Sequence, residues 1–118
     1  MEILGTSLRV CVDDLDAAVP VYERLTGDRA MRFRRGGVSV AAVGSFLLMS
    51  GEEAEMELLR KVSATIAVKD VDEAVRTLVA VGAQIIAGPM PTPGRNMLAR
   101  HPDGSIFEYI DGGAPHHA

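Results

Sequence analysis

Apolar positions recur along the chain with two different periods, and the order of those periods repeats. The run LRVCV at Leu8–Val12 alternates in the manner of a strand, and SATIAV at Ser63–Val68 does the same. Residues able to cap a helix follow each run, Asp13-Asp14 in the first case and Lys69-Asp70 in the second. Leu15, Ala18, Val19, Tyr22 and Leu25 then fall at i, i+3, i+4, i+7 and i+10, a spacing that Val71, Ala74, Val75, Leu78 and Val81 repeat. The pattern therefore predicts a strand followed by an amphipathic helix, twice. Pro20 lies inside the first helix, where its ring crowds the Asp16 carbonyl and removes a hydrogen bond, so this helix is expected to kink or to begin late.

Each helix is followed by a turn, at Gly27 or Gly82, and then by three short strands. In the first half Gly36-Gly37 and Gly44-Ser45 mark hairpin turns, which places strands at roughly 30–35, 38–43 and 46–50. The second half reads as Ala83–Ala87, a loop with Pro89, Pro91, Pro93 and Gly94, then Asn96–Arg100, the turn His101-Pro102-Asp103-Gly104, and Ser105–Ile110. Superposing Ser7–Val19 on Ser63–Val75, an offset of 56, aligns Val12 with Val68, Asp14 with Asp70, Asp16 with Asp72 and Val19 with Val75. The expected fold is α+β, one domain spanning 1–118 and built of two tandem β-α-β-β-β units at about 1–51 and 62–112. The intervening 52–61 is acidic, with Leu58 and Leu59 as its only strong apolar anchors, and reads as a linker with one helical turn. The tail GGAPHHA has the character of a frayed terminus, His116 and His117 being open to adventitious metal binding.

Composition narrows the function classes. A chain of 118 residues with 47% apolar and 24% charged residues has the size and balance of one globular domain, and no apolar run is long enough to cross a bilayer. Met1–Thr6 has no basic n-region, so neither a secretory signal nor a transit peptide is expected and the reading is cytoplasmic. The single cysteine, Cys11, cannot form an internal disulfide and reads as core rather than nucleophile. With net charge −4 and no basic stretch interleaved with aromatics, the electrostatic footprint of a nucleic-acid binder is missing.

The paired units, the junctions VDDLDAAV and VKDVDEAV, and RHPDGSIFEYID before the end together resemble the vicinal oxygen chelate superfamily, which includes glyoxalase I, extradiol dioxygenases and bleomycin-resistance proteins. The resemblance covers nearly the whole chain. It implies that each unit is a curled mixed sheet forming a cleft, with helices packed on the outer face. It also implies four positions where the metal enzymes of the superfamily draw ligands, one from the first and one from the fourth strand of each unit. Here those positions fall at Ser7, Leu48, Ser63 and Glu108, of which only Glu108 carries a metal-ligating side chain. Serine and leucine do not hold a divalent metal against water, so no metal and no other cofactor is expected. His101, in the turn before the last strand, is expected to point to solvent or to bond the turn backbone.

Strand alternation assigns faces. Leu8, Val10 and Val12, with Ala64, Ile66 and Val68, make an apolar face for the helices, which leaves Ser7, Arg9, Cys11, Ser63, Thr65 and Ala67 in the cleft. Carried through the hairpins, the parity places Met31, Phe33, Val38, Val40, Leu47 and Met49 against the helix, and Arg32, Arg34, Phe46 and Leu48 toward the cleft. The candidate ligand-binding set is then Ser7, Arg9, Arg32, Phe46, Leu48, Ser63, Thr65, Met97 and Glu108. The arginines read either as a site for an anionic or hydrogen-bond-accepting group or as a solvated edge. Glu108 reads as a general base, a ligand-contacting acceptor or the ion-pair partner of an arginine.

Three functions remain open. The first is a metal-free small-molecule binding protein of the bleomycin-resistance type, sequestering its ligand, an antibiotic among the candidates, at a homodimer interface. Against it stands an aromatic content of 4%, for which six methionines partly substitute. The second is a lyase, isomerase or glyoxalase-like enzyme using Glu108 as base. The third is a structural dimerisation module whose cleft is filled by its own side chains.

Overall fold

The computed structural model describes residues 1–90 and 95–112, so Pro91 to Gly94 and the tail with His116 and His117 lie outside the described residues. The first unit contains β1 (Ile3–Cys11), α1 (Leu15–Thr26), β2 (Met31–Arg35), β3 (Val38–Val43) and β4 (Phe46–Gly51). A connecting helix α2 (Glu53–Leu59) leads to β5 (Val62–Val68), α3 (Val71–Ala80), β6 (Gln84–Met90), β7 (Asn96–Arg100) and β8 (Ile106–Ile110). The strands form one curled, mixed eight-stranded sheet in the order β2-β3-β4-β1-β5-β8-β7-β6, an α+β architecture. Each first strand runs parallel to its own fourth strand, and the two units meet where β1 pairs antiparallel with β5.

Local chemistry accounts for the helix ends. The Asp14 carboxylate accepts from the Ala17 N–H at 3.2 Å, and Gly27, at φ 76°, closes α1 in the left-handed conformation that glycine adopts without a Cβ clash. Asp70 caps α3 by accepting from the Asp72 N–H at 2.8 Å. Of the two expected outcomes, a kink or a late start, the late start is not seen: α1 begins directly after its cap with Pro20 inside it. Asp16 and Pro20 both lie on the exposed side, where water can serve the carbonyl that the missing N–H leaves free. Leu25 and Val81, the last positions of the two expected apolar stripes, are 70% and 62% exposed. At about 100° per residue the i+10 position has drifted some 80° from the start of the stripe, off the sheet.

Two cores form on the outer face. Leu15 and Val19 of α1 pack on Ala41, Val43 and Leu48, and Val71, Ala74 and Leu78 of α3 pack on Val68, Met97 and Tyr109. The short α2 presents Met56, only 1% exposed, to Val38, Val40, Leu47 and Met49, which are the other face of the same strands. The connecting segment is thus anchored by Met56 and Leu59, whereas Leu58 is exposed; the heptapeptide is a helix because Met56 gives it an apolar contact to hold. His101 differs from its expected orientation: its Nε2 lies 2.7 Å from the Tyr109 hydroxyl, and its ring lies 4.5 Å from that of Phe107. The phenol of Tyr109, raised by burial, needs a polar partner there, and His101 supplies it.

Leu48 is fully buried against α1. Leu48→Ala is expected to destabilise the protein by about 2–5 kcal/mol, read as a lower denaturation midpoint at unchanged denaturant dependence. A loss below about 1 kcal/mol would mean that the site is not packed in this way.

Candidate functional site

The concave face is decided by register. Across the parallel β1–β4 pair Arg9 lies opposite Leu47 and Val10 opposite Leu48, so Leu47 shares the face of Arg9 and Leu48 shares that of Val10. Both hairpins of the first unit are two-residue turns, Arg35 pairing with Val38 and Val43 with Phe46. Phe33, Arg35, Val38, Val40, Leu47 and Met49 therefore belong to one face, and that face is the cleft. In the second unit Thr65 lies opposite Glu108, which lies opposite Leu98, while Asn96 lies opposite Ile110. Leu59 of α2 also lines this face, and the half-open cavity measures about 260 Å³.

This corrects part of the candidate set. The grouping of Phe33, Val38, Val40, Leu47 and Met49 on one face holds, but that face is the cleft and not the helix side. Arg32, Phe46 and Leu48 are on the helix side instead, Arg32 pairing with Asp16 of α1 and Phe46 meeting Tyr22 edge-on at 4.9 Å. Arg34 follows them, donating to the Ser39 hydroxyl at 3.0 Å. Met97 borders the cavity but belongs to the cluster beneath α3. The counterpart of Glu108 in the first unit is accordingly Leu47, not Leu48. The inversion has a simple origin: β4 reads FLLM, apolar on both faces, so hydrophobicity cannot orient it. The β1-to-β4 connection passes through a helix and leaves no hairpin from which to count.

Of the remaining candidates, Ser7 is buried opposite Thr65, and Ser63 is exposed and outside the cavity lining. Arg9, Thr65 and Glu108 converge as one polar centre. Arg9 Nη1 donates to Thr65 Oγ1 at 2.8 Å and to Glu108 Oε1 at 3.0 Å, and the Thr65 hydroxyl donates to the same Oε1 at 2.8 Å. Two residues that sequence reasoning missed complete it. Asn96 Nδ2 donates to Glu108 Oε2 at 3.1 Å, and Arg35 Nη1 approaches that oxygen at 3.4 Å. Neither was within reach of the sequence alone: Arg35 has the parity of Phe33, whose face the sequence could not orient, and the place of Asn96 depends on the β7–β8 register.

The electrostatics follow from burial. The side chains of Arg9 and Glu108 are 4% and 11% exposed, so the pair is nearly dry. Burial lowers the Arg9 pKa, and the Glu108 carboxylate opposes that shift. Arg35 is 44% exposed and stands at the mouth. Two guanidiniums against one carboxylate leave one net positive charge over an apolar floor. Arg9 Nε is buried without a hydrogen-bond partner among the described residues.

The superfamily's metal enzymes would place a divalent ion at this centre, and the residues do not fit one. No three of His, Cys, Asp and Glu cluster among the described residues, and Glu108, the sole carboxylate of the centre, already holds two guanidiniums that would repel a cation.

Removing one member of a buried ion pair strands the other, whereas removing both need not. Glu108→Ala is expected to cost about 3–5 kcal/mol, and the double change Arg9→Met with Glu108→Leu less than that single change. Denaturation of the unaltered protein, the single variant and the double variant checks this; a double variant at least as unstable as Glu108→Ala would rule out the coupling.

No protein-family model matches the sequence, and no curated protein does. Among solved structures, an uncharacterised protein from Methanosarcina mazei is 39% identical, with 96% of this chain and 95% of that one aligned at a TM-score of 0.89. Methylmalonyl-CoA epimerase from Mycobacterium tuberculosis is 20% identical, with 95% of this chain and 90% of that one aligned at a TM-score of 0.70. A Streptomyces coelicolor methylmalonyl-CoA epimerase variant in complex with 2-nitronate-propionyl-CoA is 17% identical over 97% and 99% at a TM-score of 0.72. The two epimerases establish the fold, which is that of the vicinal oxygen chelate superfamily. The chain thus belongs to one family with the Methanosarcina mazei protein, on the vicinal oxygen chelate fold.

Proposed function

We propose that the chain is a metal-free binding protein that holds a small organic molecule in the concave face of its sheet. The observation that carries this reading is the state of Glu108, whose two oxygens accept from Arg9, Thr65, Asn96 and Arg35. Both oxygens already accept from two protein donors each, so neither is left free to meet a ligand proton, which weighs against the enzymatic reading in which Glu108 is the base. The floor of Phe33, Val40, Leu47 and Met49 suits an apolar body, and a cavity of about 260 Å³ weighs against a module filled by its own side chains. A bleomycin-sized antibiotic would extend far outside that volume, so any antibiotic held here is smaller or is completed by a partner subunit.

The protein is proposed to work as a homodimer. Its units already pair with each other within the chain through β1 and β5, leaving β2 and β6 as edges. On the central strand Ile3, Leu4 and Leu8 are each 53% exposed, apolar area that a second copy would cover. Light scattering at micromolar concentration is expected to give twice the chain mass; a monomer there would count against the dimer.

The purified protein is expected to hold no stoichiometric zinc, iron, nickel or manganese, and elemental analysis finding about one equivalent would refute the metal-free reading. A thermal-shift screen of metabolites and small antibiotics is expected to yield ligands recovered chemically unchanged. Met49→Arg, which puts a charge on the floor, is expected to lower their affinity at least roughly tenfold, a loss of about 1.4 kcal/mol or more. Turnover of a bound compound, abolished in Glu108→Gln, would establish the enzymatic reading instead.

A further inference from the structure

The polar centre carries information about the charge of what it binds. Arg9 and Glu108 form a nearly closed pair with Thr65 between them, so the charge of one cancels the other within the sheet. Arg35 is different. Its contact with Glu108 is long, at 3.4 Å, its side chain is 44% exposed at the rim, and it shares that carboxylate with the neutral donor Asn96. The guanidinium is thus a cation whose partner is already satisfied, standing over Phe33, Val38 and Leu98. A neutral ligand would cover it with apolar surface and gain nothing for the lost hydration. A dianion would bring one charge more than the centre can balance. A single carboxylate balances it, and the guanidinium fork matches its two oxygens.

Size narrows the class further. At about 30 Å³ per water, a cavity of about 260 Å³ has room for roughly nine waters, and so for about ten non-hydrogen atoms of a ligand within its walls.

On the binding function proposed above, we infer that the cleft selects small apolar monocarboxylates, with Arg35 as the residue that reads their charge.

Octanoate and octanamide have the same chain and nearly the same size and differ in charge, and octyl phosphate adds a second charge. Calorimetric titration is expected to give octanoate roughly tenfold or more over octanamide, as charged hydrogen bonds confer, with octyl phosphate weaker than octanoate. Arg35→Gln lies beside an exposed turn on an edge strand and should fold normally, as circular dichroism would verify. It is expected to bring octanoate within about twofold of octanamide, and Arg32→Gln, on the helix side, to preserve the full ratio. Equal affinities in the unaltered protein would overturn the inference and leave the binding function standing. Tighter binding of octyl phosphate would overturn the monoanion class, and a ratio that survives Arg35→Gln would overturn the role of Arg35. Binding of none of the three also overturns it, and the wider ligand screen then decides whether the binding function falls as well.

Discussion

Ser7 faces Thr65 where β1 runs antiparallel to β5, and the shape of the molecule descends from that pairing. Leu8 and Ala64, separated by the repeat offset of 56, are direct partners, so the duplicated units meet about a local two-fold axis through the middle of the sheet. The axis makes one continuous concave face from two half-sheets. It also brings Arg9 from one unit within reach of Thr65 and Glu108 from the other, which neither unit alone could do. In a single unit Arg9 would be a guanidinium on a bare sheet face; in the duplicated domain it is 4% exposed and paired.

The buried pair trades one kind of energy for another. Desolvating a guanidinium and a carboxylate costs several kcal/mol each, and the hydrogen bonds among Arg9, Thr65 and Glu108 offset this without a large surplus. What such a centre contributes is position. With both oxygens of Glu108 tied down, the carboxylate cannot swing into the cavity, and the buried charge of Arg9 is matched beside an otherwise apolar floor. At this place the positive charge is that of Arg9, and the described residues around it form no cluster of metal-ligating side chains.

The two faces of the first unit are both apolar for different reasons. The outer face packs on α1 through Ala41, Val43 and Leu48, as any half-buried sheet packs on a helix. The inner face is covered at one end by Met56 and Leu59 of α2 and is otherwise open to the cavity. The connecting helix thereby shortens the cleft, and the cavity is modest for a sheet of eight strands. The second unit has no equivalent cover among the described residues, and its polar side chains, Asn96 and Glu108, sit on that side.

The amino-acid sequence by itself determined the element order, the duplication, the ends of most strands and the cleft-facing parity of Arg9, Thr65 and Glu108. These follow from local periodicity, capping and turn chemistry, and from the offset between repeats, none of which needs distant contacts. It also determined that Phe33, Val38, Val40, Leu47 and Met49 act together, because two-residue hairpins transmit parity without ambiguity. Only the tertiary structure decided which way that set faces. A parallel pair joined through a helix carries no count from one strand to the next, and a strand apolar on both sides offers no preference, so a shift of one residue exchanges the cleft for the core. Hence Arg35 and Asn96, not Arg32 and Phe46, line the cavity. The same limit hid Met56, whose apolar side chain gives a short acidic helix its only fully buried anchor, visible once β3 and β4 are folded beneath it.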